Sequence, residues 1–511
     1  MRKRTGAWLG LASAAAALGV AHLVSGLIGR AEASPIVAVG SAAIDRVPRW
    51  LKEFAIGTFG TADKLVLVLV MAAVVSVVAI AVGIASLRRP EVGYASLVLL
   101  ATIGVLAALT RPNAERIDAI PALAGAAAGA ITLRLMRREL VGAGEPADTA
   151  TVGNPDAVSR RRFLVGGAVA LGAAALAGVA GQFLSRRSEA VASRSRVVVP
   201  TEVAPAPPVP SGVDLGIDGL TTFTTPNADF YRIDTALIVP TVTAEEWRLH
   251  VHGMVERELT LDFEQLNARS LIERDVTLAC VSNEIGGDLI GNARWIGAPL
   301  GDLLAEAGVD PIADQLVSTS IDGFTCGTPV SAVTDGRDAM LAVAMNGEPL
   351  PIEHGFPVRM VVPGLYGYVS ATKWVVDLEL TTFDSFDPYW IRRGWAEQAP
   401  IKTQSRVDTP RHDSSVKAGE IVVAGVAWAQ RVGISRVEVR VDDGPWADAD
   451  LADVASIDTW RPWKVITRVE PGARRLQVRA TDADGVTQPE ARTEPFPDGA
   501  TGWHTILVDV A

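Results

Sequence analysis

Cys280 stands in the run Thr277-Leu278-Ala279-Cys280-Val281-Ser282-Asn283-Glu284-Ile285-Gly286-Gly287 and is the residue best placed for soft-metal chemistry. The strand-like run 274–279 delivers the thiol to the point where a strand passes into a glycine-rich loop. A cysteine there can be a buried small hydrophobe or half of a disulfide with Cys326, the other cysteine of the chain. It can also be a thiolate on a soft metal, which needs cationic or amide donors close by. Two cysteines exclude a disulfide-stapled scaffold, a CxxC zinc site and a CxxCH haem attachment. His250-x-His252 would project two imidazoles from one face of a strand. No third ligand lies near them in sequence, so they read as a surface pair rather than a zinc site. Asp448, Asp450 and Asp453 read as a solvated face. The chain carries no P-loop, Rossmann fingerprint or G-x-S-x-G elbow.

The surroundings of Cys280 favour the thiolate. Cys280-x-x-Asn283, followed by Asn292-Ala293-Arg294-Trp295-x-Gly297-x-x-Leu300-x-Asp302-Leu303-Leu304, resembles the sulfite oxidase family of molybdenum enzymes. So does Asn346-Gly347-Glu348-Pro349-Leu350-Pro351-x-x-His354-Gly355-Phe356-Pro357-Val358-Arg359-x-Val361-Val362-Pro363-Gly364, with Lys373-Trp374 following one residue later than the family spacing. Phe230-Tyr231-Arg232 is similar to the family's first cofactor segment, and the resemblance extends over roughly 220–511. It implies that Cys280 is the protein's ligand to molybdenum and that a molybdopterin supplies the dithiolene. A molybdopterin presents a phosphate and a polar pterin edge, so it asks for cations and planar donors. Arg359 offers a fork of N–H groups for phosphate, with His354 and Lys373 as further donors. Phe230, Tyr231, Arg232, Asn283, Asp322 and Thr372 complete the implied cofactor set, and Gly364 and Gly367 would let backbone amides approach closely.

Departures from the family bear on the substrate. Sulfite oxidases follow the Asn with two arginines, where this chain has Glu284 and Ile285. Their active-site tyrosine ends a Trp-x-Arg-Arg-Asp-Tyr run, and the matching run here is Trp390-Ile391-Arg392-Arg393-Gly394-Trp395. A carboxylate beside the metal would repel a dianion. Arg232 keeps one anion-binding element. Cys280, Arg232 and Trp395 are thus the expected catalytic positions, and the expected substrate is a small oxyanion or S-/N-oxide other than sulfite. Two alternatives stand beside this: a true sulfite oxidase with a rearranged pocket, and a metal-free cell-surface binding protein on the same fold.

These residues need a scaffold, and the composition divides it in two. Residues 1–184 hold 18 basic and 11 acidic side chains, and the remainder 29 and 47. A second part this acidic is a poor partner for nucleic acid. Uncharged runs at 5–29, 65–87, 92–110 and 163–185 are each long enough to cross a bilayer core of about 30 Å, and 119–133 spans only marginally. Five spans with the N-terminus inside place 11 basic residues in the cytoplasm against 7 in the outer loops. That topology puts the remainder of the chain outside the cytoplasmic membrane. Ser159-Arg160-Arg161-Arg162-Phe163-Leu164 resembles a twin-arginine export signal. His22 is the lone histidine of the spans, so one chain cannot supply both axial ligands of a b-type haem.

The predicted organisation is a transmembrane region of about five helices over 1–185, a Pro-rich linker over 186–214, an α+β molybdopterin domain over 215–405 and an all-β immunoglobulin-like sandwich over 406–511. Strand-like Trp247–Val251 and Arg359–Val362 and helix-like Leu300–Ala307 fall in the third part. In the fourth, alternation at Ile434, Val437, Val439 and Val441 runs to an Asp443-Gly444 turn, and Leu476, Val478, Ile506, Val508 and Val510 repeat it. The family's sandwich domain often mediates dimers, so a homodimer is compatible with the resemblance. No haem is expected, and a separate electron-transfer partner is.

Overall fold

The computed structural model describes residues 2–47, 51, 63–111, 114–141, 172 and 187–511. They divide into two units, residues 1–191 with 236–241 and residues 192–235 with 242–511.

In a lipid core a single apolar run satisfies its backbone within itself by forming a helix, and the first unit is built of helices. They are α1 (Arg2–Leu27), α2 (Pro35–Arg46), α3 (Asp63–Ser86), α4 (Pro90–Leu109) and α5 (Ile120–Val141). Among the described residues, four stretches are long and apolar enough to cross a membrane: Lys3–Leu27, Val66–Ser86, Pro90–Leu109 and Arg116–Arg138. The expected marginal span at 119–133 is longer than its uncharged core, because α5 continues as helix through Arg134, Arg137 and Arg138. The expected span at 163–185 and the twin-arginine segment at 159–164 lie outside the described residues. Small residues bring these helices into backbone contact. A methyl group on Gly83 would fall 2.2 Å from the Gly6 carbonyl oxygen, and one on Gly125 would fall 2.5 Å from that of Ala17. Beyond α1, Arg30 reaches the fully buried Asp118 at 2.8 Å and Glu115 at 2.6 Å, tying α1's end to the turn before α5.

The second unit begins inside the segment read as a spacer, which is partly structured. Residues 187–196 are helical, and Arg194 donates to the Leu350 and Pro349 carbonyls. Strand β1 (Val203–Ala204) then pairs in parallel with β4 (Leu271–Ala279). The sheet continues through β5 (Ile290–Pro299), β8 (Met340–Met345) and β10 (Arg359–Val361), with β9 (Glu348–Pro349) also on β8. All six residues of β8 are buried, as a central strand covered on both faces requires. A second sheet has the order β3 (Leu259–Asp262), β2 (Arg248–Gly253), β11 (Val375–Thr381), β6 (Gln315–Ser320) and β7 (Thr325–Pro329). Helix Leu300–Ala307 buries Leu300, Leu303, Leu304 and Ala307 along one stripe.

Residues beyond 403 form two further sheets. One orders β12 (Gln404–Thr409), β14 (Gly419–Trp428), β18 (Arg461–Val469) and β17 (Asp450–Leu451). The other orders β13 (Ser414–Val416), β20 (His504–Val510), β19 (Gly472–Asp482), β15 (Ile434–Val441) and β16 (Ala447–Asp448). Val423, Trp463 and Val465 from the first and Val437, Val439, Leu476, Val478, Ile506 and Val508 from the second share one apolar cluster. A register shift between Ile434 and Arg436 lets Ile434 and Val437, an odd number of residues apart, both face that cluster.

These sheets reach back to the strand that carries Cys280. The Thr277 amide donates to the Asp458 carbonyl at 2.9 Å, and the Trp460 amide donates to the Thr277 hydroxyl at 2.8 Å. Arg406 donates to the Gly287 carbonyl at 2.7 Å, holding the far end of the cysteine loop.

His504, at the head of β20, accepts the Val407 amide on Nδ1 at 3.0 Å, so the fold needs its imidazole neutral. Burial, and next the Arg406 cation, push its pKa down from 6.5 to about 4. As pH falls through that window the unfolded chain takes up a proton that the folded chain refuses, so stability falls. Thermal melts taken from neutral pH down to that of the folded imidazole should show a declining Tm. His504→Gln should decline less steeply than the parent chain.

Candidate functional site

The two sheets of the 215–405 region enclose a cavity that gathers most of the residues singled out from sequence. Phe230, Tyr231, Cys280, Asp322, His354, Arg359, Lys373 and Trp395 all line it, together with Asp234, Ser320, Phe324, Gly367, Tyr368, Trp374 and Trp390. Three expected side chains do not line it, and neither does Gly364. Asn283 is buried and its Oδ1 accepts the Leu289 amide, closing the cysteine loop. The Thr372 hydroxyl bonds Ser318 at 2.7 Å behind the wall. Arg232 is more than one-third exposed and donates to Asp234.

Cys280 follows directly on β4. Its amide donates to the Leu289 carbonyl and its sulfur accepts the Ser282 amide at 3.4 Å, so the loop fixes the thiol by both backbone and side chain. Burial pushes the thiol's pKa up, with the Ser282 amide pulling the other way. A disulfide with Cys326 is not formed: both thiols are free, and Cys326 donates to the Tyr368 carbonyl.

Arg359 opens β10 and is wholly enclosed. Its guanidinium lies 5.0 Å from the Trp295 ring and donates to the carbonyls of His354, Ala371 and Met360 at 3.2–3.4 Å. Among the described residues it has no ion pair with a carboxylate, and burial lowers its pKa to about 10. A buried cation compensated only by long bonds to carbonyls is a strong demand for an anion.

Lys373 stands next to it. Burial lowers its pKa to about 8 against the pull of Asp234, whose carboxylate it meets at 3.1 Å. His354 lies with Nε2 at 3.2 Å from the Asn227 carbonyl, and its ring packs edge-on to Phe230. Burial, then the charges of Arg359 and Lys373, push its pKa to about 4, so it is neutral at pH 7 and keeps Nδ1 as an acceptor. Gly355 makes this crowding feasible. It has φ +108°, and a methyl group there would fall 3.0 Å from Arg359 Cβ and 3.1 Å from Lys373 Cβ.

The opposite character appears among the aromatic residues. Trp395 packs against Tyr368, Trp390 and Phe496 with ring centres 5.4–6.2 Å apart. Arg393 is drawn off over the Tyr389 ring at 3.5 Å and is not a lining residue. Glu284 also requires a correction: its side chain is 65% exposed, 3.6 Å from Arg492, and does not line the cavity. The loop turns outward at Glu284, so it does not act as a repelling charge there.

Comparison with known proteins agrees with this arrangement. Residues 236–390 match the oxidoreductase molybdopterin binding domain. The chain is 29% identical over 341 residues to mitochondrial sulfite oxidase of Rattus norvegicus, an alignment covering 57% of this chain and 62% of that protein. It is 33% identical over 150 residues to the uncharacterized oxidoreductase YuiH of Bacillus subtilis, covering 29% of this chain and 72% of that one. The chain belongs to the sulfite oxidase family of molybdopterin-dependent oxidoreductases. Among solved structures, the sulfane dehydrogenase SoxCD of Paracoccus pantotrophus is similar at TM-score 0.50 and 25% identity, covering 57% of this enzyme and 82% of that chain. The enzyme thus spans a little over three-fifths of the mitochondrial sulfite oxidase it matches.

The residues present fit a molybdopterin. The cavity joins an uncompensated Arg359, a second cation at Lys373, a neutral His354 and the Asp322 carboxyl, whose Oδ1 has no hydrogen-bond partner. Asp234 and Gly355 were not anticipated from sequence. Asp234 could have been suspected as an acid two residues past Arg232, and Gly355 as the glycine wedged between the motif's His354 and Arg359.

Replacing the guanidinium tests its unmet charge. In cofactor-free protein from molybdate-starved cells, Arg359→Met should raise Tm by a few degrees, since a similar apolar volume removes a buried unpaired cation. A calorimetric scan would measure it, and a fall of several degrees would show the carbonyl contacts to be sufficient compensation.

Proposed function

We propose that this is a membrane-anchored molybdenum-molybdopterin enzyme that transfers an oxygen atom in a two-electron reaction with a small oxyanion or S-/N-oxide, and that its substrate is not sulfite. The observation that carries the reading is the convergence of Cys280, His354, Arg359 and Lys373 on one cavity. When bound, the cofactor supplies a two-electron redox centre able to exchange an oxygen atom with the substrate. Cys280 would hold the metal through its thiolate, and a metal there would reverse the upward push that burial exerts on the thiol. Arg359 would take the phosphate in its fork, with Lys373 beside it and Asp234 fixing the ammonium in place. His354 would accept from the pterin edge through Nδ1, and Asp322 and Tyr231 would line that edge. Asn283 and Thr372 would act from behind by holding the loop and the wall.

Two observations support a substrate other than sulfite. Among the described residues lining the cavity the permanent cations are Arg359 and Lys373, both assigned here to the cofactor. Trp395 replaces the family's tyrosine and is packed within an aromatic wall that offers a dianion little. Arg232 is outside the lining, with its Nε–H held by Asp234.

The apolar helices support multi-pass membrane anchoring. Placing the catalytic region outside the cytoplasm rests on the basic loops and on a fifth span at 163–185, which lies outside the described residues. The two-sheet region beyond 403 is read as an immunoglobulin-like sandwich. Electrons would pass to a separate partner, without a haem of this chain's own.

Molybdenum per chain, measured by elemental mass spectrometry on protein from molybdate-fed cells, should be close to one. In Cys280→Ser it should fall several-fold with Tm little changed. Absence of metal in both would move the function to binding. Rapid turnover of micromolar sulfite with an artificial acceptor would instead establish a sulfite oxidase with a rearranged pocket.

A further inference from the structure

The sheet whose strand β11 begins just after Lys373 holds a second cluster of side chains able to bind a metal, on β2 and β11. His250 and His252 project from the same face of β2, as the two-residue strand period requires. The third ligand missing from the local sequence is brought in by the neighbouring strand: β11 runs parallel to β2 with Asp377 paired to His250. His252 Nε2 lies 3.1 Å from Asp377 Oδ2, and His250 Nδ1 lies 3.6 Å from the same oxygen. Ligand atoms of all three residues fall within 4.8 Å of one another. Nitrogen and oxygen ligands about 2.0–2.1 Å from a tetrahedral zinc are about 3.3–3.4 Å apart, close to the two histidine–aspartate separations. The two imidazoles are stacked with centres 4.4 Å apart and 12° between their planes, so binding requires the rings to turn until both lone pairs meet on the ion.

The outer contacts agree. His250 Nε2 sits 3.3 Å from Glu258 Oε2, just before β3. With Nε2–H given to that carboxylate, Nδ1 turns its lone pair towards Asp377 and His252. A carboxylate holding the far nitrogen of a ligating histidine is the usual outer support of a zinc site. The three residues are half-buried, so an ion can enter from solvent while the sheet holds their backbones.

We propose that His250, His252 and Asp377 bind one divalent transition-metal ion of the zinc type, with Glu258 orienting His250 and a fourth position open to water. Two imidazoles and one carboxylate suit zinc, cobalt(II) or copper(II) and are poor ligands for calcium or magnesium. The site lies apart from the cavity, since none of its residues lines that space. The ion would pin β11 to β2 across the sheet.

The test is a titration of the full chain in detergent, stripped with a chelator, against cobalt(II) and then zinc(II). Wild type should take up one cobalt with the intense visible bands of a four- or five-coordinate site. Zinc should displace it and raise Tm. His252→Ala and Asp377→Asn should each weaken binding by at least about tenfold. Asp377→Asn keeps the shape of the side chain, so its metal-free Tm shows whether a loss in His252→Ala reflects unfolding. Glu258→Gln should weaken binding less than either. No uptake of either ion by wild type, or equal uptake by wild type and both variants, would overturn the proposal and leave the cluster a histidine–aspartate ion pair.

Discussion

A guanidinium enclosed in protein without a carboxylate is a costly arrangement, and the interior around Arg359 is organised by it. The side chain is only 5% exposed, and its three carbonyl acceptors are long. Burial first, and the Arg359 charge after it, lower the pKa values of His354 and Lys373, the latter against the pull of Asp234. Gly355 gives up its side chain so that the two cations can come together. Such a set is unstable as a mere core and becomes reasonable as a receptor for an anionic group.

The site and the strands that position it were legible in the sequence to different degrees. Cys280, His354, Arg359 and Lys373 could be grouped because the motifs that hold them resemble those of one family in order and spacing. The strand alternation at Val437, Val439, Leu476 and Val478 was likewise readable from its period alone. Side-chain direction in loops was not. Glu284 follows a cysteine loop whose turn faces it outward, and Arg232 has an acid two residues away that draws it aside. Neither fact has a periodic signature.

Pairing between distant strands was the other hidden quantity. His250 and His252 looked like an isolated couple because Asp377 is remote in sequence and adjacent only once β11 lies parallel to β2. Parallel pairing requires a long crossover connection, so the residues it unites are never local. In the same way Asp234 became visible as a partner of Lys373 only in three dimensions. Nor does composition say which glycine meets which helix, as Gly83 meets Gly6.

Thr277 carries a consequence for how this protein can change over evolutionary time. Its amide and hydroxyl are both claimed by residues 458 and 460, and its carbonyl accepts from Gln430, three residues upstream of the cysteine. The carboxy-terminal sheets are therefore part of the mould in which the cysteine loop sets, and cannot be treated as an appendage. A recombination that exchanged them for another β domain would have to bring matching loops with it. The two regions must be inherited as a pair.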